Sequence, residues 1–145
     1  MRTAVSQYMQ GVRLMLSVRR ACPVDYRLCN QTVTVYHREM VTNEAGSREP
    51  EFTRTVYDNA FLDFKKTESV DKTGNSEAGS FLLVIPCSEQ TVFVGDKVLL
   101  GTGAKISDSA GWASLIPTKV DGLVVVKYVD PKFWNGAMVH VEAGG

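Results

Sequence analysis

The side chains able to act as acids, bases, nucleophiles or metal ligands are few: two histidines, His37 and His140, and three cysteines, Cys22, Cys29 and Cys87. General acid–base catalysis needs an imidazole or an environment-tuned carboxylate beside a nucleophile. His37 follows Tyr36 at the end of an alternating stretch, and His140 lies between Val139 and Val141. Alternation assigns each to the less buried face of a strand, which makes them solvent-facing or interfacial histidines rather than a catalytic pair. The cysteines form no C-x-x-C pair, and their spacing with the two histidines does not make a zinc site. Their odd number argues for reduced thiols and an intracellular origin. Cys87 follows Pro86 with no neighbouring base, and reads as a small core residue at a strand end. Asp96 lacks the companion carboxylates a metal needs and is expected to hydrogen-bond its own Gly95-Asp96 turn. Gly101-Thr102-Gly103 is followed by no Lys-Ser/Thr and opens no strand-to-helix G-x-G-x-x-G unit, so it is read as a bend rather than a phosphate loop. The expectation is no catalytic residue, no cofactor, no metal and no enzymatic activity.

Binding chemistry is better represented. Aromatic residues are plentiful, but most sit in strand patterns where core packing is their ordinary role. Trp112, Phe133 and Trp134 lie near turns instead and are expected to be interface anchors. Cationic candidates are Arg13, Arg19 and Arg20 in the first segment, and Lys65, Lys66 and Lys72 in a polar stretch farther on. Sixteen basic residues balance sixteen acidic ones, so no overall field draws the chain to nucleic acid or to an anionic membrane, and any such contact must be local. The balance is only an average. Residues 1–24 hold four arginines and no acid, whereas residues 41–80 hold eight acids against five bases.

These residues must be positioned by a fold, and 145 residues with 44% hydrophobic content suffice for one domain with its own core. Over residues 2–20, Val5, Tyr8, Met9, Val12, Met15 and Leu16 recur at spacings of three and four. That pattern predicts an amphipathic helix with an arginine face, docking on its own domain or a neighbour. The same Arg-rich, acid-free character would suit a transit peptide. Pro23 ends the pattern. From Gln31 the period becomes two, with β-favouring residues through His37, which predicts a strand. Residues 41–50 read as a polar loop, and 51–64 as one bent strand or two. Residues 65–80, with Val70 as their single large apolar side chain, read as a long mobile loop. FLLVIP at 81–86 predicts a strand buried on both sides, and 91–94 and 97–100 predict strands flanking the Gly95-Asp96 corner. Ser107, Asp108 or Ser109 would cap a short helix that Pro117 stops. Strands are expected over 123–129 and 137–142, joined through Asp130-Pro131 and Asn135-Gly136. The sum is a mainly β chain: a small barrel or sandwich of six to seven strands over residues 25–145, preceded by a helical arm over 1–24.

Taken in order, TVTVYHR (residues 32–38), a variable polar insertion, FLLVIP, VGDKVLLGTG (94–103) and the ending VVVKYVDPKFWNGAMVHVEAGG (124–145) form a recognisable series. The pieces that weigh most are the opening strand, the G-D-K-V corner and a terminal strand pair ending in H-V-E after an aromatic-Gly turn. The series resembles the small neck proteins of tailed bacteriophages, the minor capsid or head-tail connector proteins, and is similar to their head-completion or stopper class. The likeness covers about residues 31–145; the first 24 residues precede the usual opening strand. It implies a virion protein without enzymatic activity, assembled in the host cytoplasm and placed at the head–tail interface. Its partners would be the portal or adaptor protein, the tail proteins and other copies of itself in a sixfold or twelvefold ring, with no membrane. Arg13, Arg19, Arg20, Trp112, Phe133 and Trp134 would serve its interfaces. Lys65, Lys66 and Lys72 would meet genomic DNA non-specifically in the channel. Alternatives are a capsid decoration protein, to which an N-terminal arm would also be suited, and a nucleic-acid-binding barrel.

Overall fold

A computed structural model describes residues 23–71 and 74–145, with side chains described except over 66–78. The chain is mainly β: β1 (Gln31–Thr42), β2 (Arg48–Asp71), β3 (Gly74–Pro86), β4 (Lys97–Leu100), β5 (Leu123–Val125), β6 (Tyr128–Trp134) and β7 (Ala137–Gly144), with one short helix, α1 (Ser109–Ser114). All seven strands lie in one open antiparallel sheet, ordered β5-β4-β1-β2-β3-β7-β6. The expected N-terminal helix, with Arg13, Arg19 and Arg20, falls outside the described residues, as does Lys72.

The 24-residue β2 organises the sheet. At roughly 3.3 Å per residue it extends about 80 Å. Its first half pairs with β1, from Thr42↔Arg48 to Gln31↔Ala60, and its second half with β3, from Phe61↔Val84 to Asp71↔Gly74. The partner changes at Ala60, which is fully buried; a small residue there lets the two halves of the sheet meet closely. Val33, Val35 and Val98 from one half then share a core with Leu62, Leu83, Ile85 and Val141 from the other. The two edge strands, β5 and β6, are separated in sequence by Val126 and Lys127 alone. The Val126 N–H donates to the Asp96 carbonyl at 2.9 Å, and the Lys127 N–H donates to the Gly144 carbonyl at 2.8 Å. That short link holds both edges side by side, so the sheet curls around its core while remaining open in hydrogen bonding.

Both ends of β2 outrun the body. β1 pairs with β4 only over Val33–Tyr36, and β3 pairs with β7 only over Leu82–Pro86. His37, Arg38 and Phe52 still touch the body at Asp96 and Trp112; beyond them residues 39–51, and at the other end residues 64–80, run on as two-stranded hairpins whose strands are paired by their own ladders. The first closes at Asn43, whose side chain accepts from the Ser47 N–H at 2.9 Å, with Gly46 at φ 82°. The second occupies the stretch expected to be a mobile loop. That expectation is corrected by the ladder running on from Phe64↔Phe81 to Asp71↔Gly74. A ladder is made of backbone groups, so the scarcity of apolar residues there does not preclude pairing. The expected loop over 41–50 likewise shortens to the turn between β1 and β2.

Smaller corrections share this logic. Residues 91–94 are not a strand. FLLVIP buries alternate residues, Phe81, Leu83 and Ile85, with Leu82 and Val84 half-buried. Asp130 to Trp134, expected in a connection, belong to β6, and only Asn135 and Gly136 turn the chain. Their φ values of 51° and 78° suit the primed two-residue turn that matches strand twist. Asp108 caps α1 as anticipated, its carboxylate accepting the Gly111 N–H at 2.7 Å.

Candidate functional site

Each histidine is tied to a carboxylate in a different part of the sheet. Asp96, 2% exposed, follows Gly95 at φ 92° in the turn before β4. Its Oδ2 accepts the Phe93 N–H at 2.9 Å, as expected of a turn-forming aspartate, and its Oδ1 lies 2.5 Å from His37 Nδ1 on β1. The Phe93 ring leans on the imidazole with centroids 5.0 Å apart. Burial pushes the Asp96 carboxyl above its ordinary value, against the opposing pull of His37 and the Phe93 N–H. An aspartate holding an imidazole is two-thirds of a nucleophile-activating arrangement. No hydroxyl or thiol is hydrogen-bonded to this ring among the described residues, so the pair as built clamps the turn onto β1.

His140 corrects its expected exposure: it is 6% exposed. Its Nδ1 lies 2.6 Å from the Tyr26 hydroxyl and its Nε2 3.2 Å from Glu142. The Tyr26 ring meets it edge-on. Alternation does place His140 opposite Val141, but Tyr26, in the segment before β1, covers His140, so both residues are buried. Neither histidine is among the other's partners. Among the described residues no three His, Cys, Asp or Glu side chains gather as a metal site, and no helix is long and apolar enough to cross a membrane.

Trp112, expected to be an interface anchor, faces inward in this chain. It is 9% exposed and forms a second core with Tyr36, Leu115 and Leu123 on the outer face of β1. Lys97 Nζ lies 4.6 Å from its ring centroid and the Arg38 guanidinium 5.3 Å. Lys97 also donates to the Trp112 carbonyl at 2.8 Å. Proximity to a turn says nothing about the direction a helix faces, and α1 folds this indole back onto the sheet.

Phe133 and Trp134 are placed differently, at the tip of the β6–β7 hairpin and 62% and 37% exposed. A register shift between Lys132 and Phe133 interrupts strict alternation just before them. They stand on an edge strand whose Pro131 offers no N–H to a further strand, so side chains rather than backbone define this surface. Lys65 is exposed at the base of the second hairpin, and Lys66 lies in β2 beside it. Lys65 also borders a groove of about 390 Å³ whose lining includes Phe64, Phe81, Val125, Lys127 and Gly145. Sequence reasoning missed the His37–Asp96 and Tyr26–His140 pairs, which join residues 59 and 114 positions apart.

A family of unknown function (DUF6751) matches residues 28–145. No curated protein and no solved structure matches the chain.

Proposed function

The chain belongs to the DUF6751 family, and for this member we propose a structural role in the neck of a tailed-phage particle. It is a head-completion or stopper subunit that assembles in the host cytoplasm into a ring below the portal, closes the DNA channel and gives the tail its platform. Its partners are the portal or adaptor protein, the tail proteins and further copies of itself, in a ring of sixfold or twelvefold order. The reading starts from the order of sequence elements that resembles the head-completion class. The single structural observation that supports it best is β2, one strand carrying a projecting hairpin at each end. A ring subunit must reach neighbours on two sides and further partners above and below, and a small body with two paired-strand arms has that reach. Phe133 and Trp134 add exposed aromatic anchors for one such contact. We read the curled sheet as a small barrel that lacks a ladder between β5 and β6. The second hairpin, with Lys65 and Lys66 in its strand and with Lys72 and several acids in the sequence around them, is the arm that would face the channel and touch DNA without gripping it.

The test is the number of copies per purified particle, measured by quantitative mass spectrometry against the portal. One portal-sized ring, or a simple fraction of it, is expected, and particles lacking the protein should lose DNA or fail to join tails. Copies scaling with the major capsid protein would make it a decoration subunit instead. Absence from the particle would overturn the reading and return attention to nucleic-acid binding, which predicts steep salt-dependent affinity of the isolated chain.

A further inference from the structure

The first hairpin has two chemically opposite faces. The β1–β2 register pairs Arg38 with Phe52, Met40 with Pro50 and Thr42 with Arg48 on one face. It pairs His37 with Thr53, Glu39 with Glu51 and Val41 with Glu49 on the other. One face therefore carries Arg48 at its tip and Arg38 at its base, where Arg38 lies over Trp112, around an exposed Met40, while the other carries three glutamates around a half-buried Val41. Glu39 and Glu51 stand directly across the ladder from each other, an arrangement that like charges disfavour. Among the described residues no cation is ion-paired with either carboxylate, and no acid with Arg48, on a ribbon that runs beyond the body.

We propose that this hairpin is a docking arm for a second copy of the chain, the glutamate face of one arm lying on the arginine face of the next. Charge complementarity selects the occupant, because the surface that neutralises Glu39, Glu49 and Glu51 exists on the same element. It also selects the geometry. A two-fold face-to-face contact would set glutamates on glutamates or arginines on arginines, whereas a head-to-tail contact sets unlike faces together and leaves one face of each kind free for the next copy. Such contacts repeat and close into a ring when the rotation allows. Met40 and Val41 supply an apolar centre within the charged rim. The inference deepens the neck proposal, since it names the surface by which the ring closes.

The test is sedimentation equilibrium of the full-length chain over the micromolar range with paired charge reversals. Wild-type protein is expected to self-associate at low salt and to dissociate as salt screens the contact. Glu39→Lys with Glu51→Lys, and separately Arg48→Glu, should each weaken association by about tenfold or more. An equimolar mixture of the two variants should recover association, because each supplies the face that the other has lost. These positions are exposed, and circular dichroism with thermal melting checks that each variant remains folded. A wild-type monomer at every concentration overturns the proposal, as does association indifferent to both reversals or a mixture that fails to recover. Recovery lost in a chain lacking residues 1–22 would also overturn it, by assigning the glutamate face to the arginines of that segment. Copy number in particles is read independently, so a ring present in the particle with an indifferent arm refutes this contact and not the neck reading.

Discussion

Thr34 offers the sharpest measure of how the corner after β4 is held. Its side chain is fully buried, and its hydroxyl donates to the Gly101 carbonyl at 2.8 Å while accepting the Gly103 N–H at 2.9 Å. Tyr36 donates to the Ala104 carbonyl at 2.8 Å, and Arg54 Nε donates to the Gly103 carbonyl at 2.7 Å. Three side chains of the β1–β2 hairpin thus fix the Gly-Thr-Gly bend, and Gly103 is required because a Cβ there would fall on the Tyr36 hydroxyl. Thr34→Val keeps the shape and the strand preference but removes both bonds of the hydroxyl. Leaving the Gly103 N–H buried and unpaired costs about 1–3 kcal/mol, and the lost bond to Gly101 adds about 0.5–1.5, for a total of roughly 1.5–4.5 kcal/mol. Urea unfolding should show this as a lower midpoint at unchanged slope. Thr34→Ser keeps the hydroxyl and loses one methyl, at about 1 kcal/mol. A cost for Thr34→Val below about 1 kcal/mol, or a larger cost for Thr34→Ser, would refute the claim that these bonds hold the bend.

Two further outcomes follow from the site geometry. Burial raises the Asp96 carboxyl above its ordinary value despite His37 and the Phe93 N–H. A folded value above the unfolded one means that the group's stabilising contribution is full below the unfolded value, ordinarily about 3.9, and is lost as pH rises through the folded value. The stability of wild type relative to Asp96→Asn should therefore fall with rising pH across that window, measured by urea midpoints; a constant difference would contradict the assignment. Phe133→Ser, at a side chain 62% exposed, should shift stability by no more than about 0.5 kcal/mol while reducing incorporation into particles or tail joining, and full incorporation with normal tails would remove Phe133 from the interface.

What the sequence made legible was local chemistry. The alternation after Gln31, the Gly95-Asp96 turn, the Asp108 cap and the Asn135-Gly136 hairpin each depend on residues within a few positions, and each stands where its residue types point. The misreadings concern what lies across space. Residues 65–80 lack a hydrophobic period, the usual strand signal, yet their backbone pairs in a ladder, which needs no apolar side chains. His140 is covered by the stretch around Tyr26, which alternation along β7 does not record, and Trp112 is buried because α1 turns its indole onto the sheet. The His37–Asp96 pair requires β1 and β4 to be neighbours, which is a fact of sheet order. The exposure of Phe133 was legible because a turn beside an edge strand leaves a large side chain facing solvent.

The two-residue link between β5 and β6 has a bearing on how this sheet comes apart. In an ordinary open sheet, either margin can fray alone, since an edge strand is held by a single ladder. Here the first margin leads through Val126, bonded to Gly95 and Asp96, straight into Lys127, bonded to Gly144 on β7 beside the other margin. Peeling away either edge pulls on its opposite, and the separation of the margins must drag Val126 out of the core. Local opening is thereby turned into a cooperative event of nearly the whole body. A seven-stranded sheet with two free margins acquires the resistance to unzipping of a closed one, at the expense of only two residues.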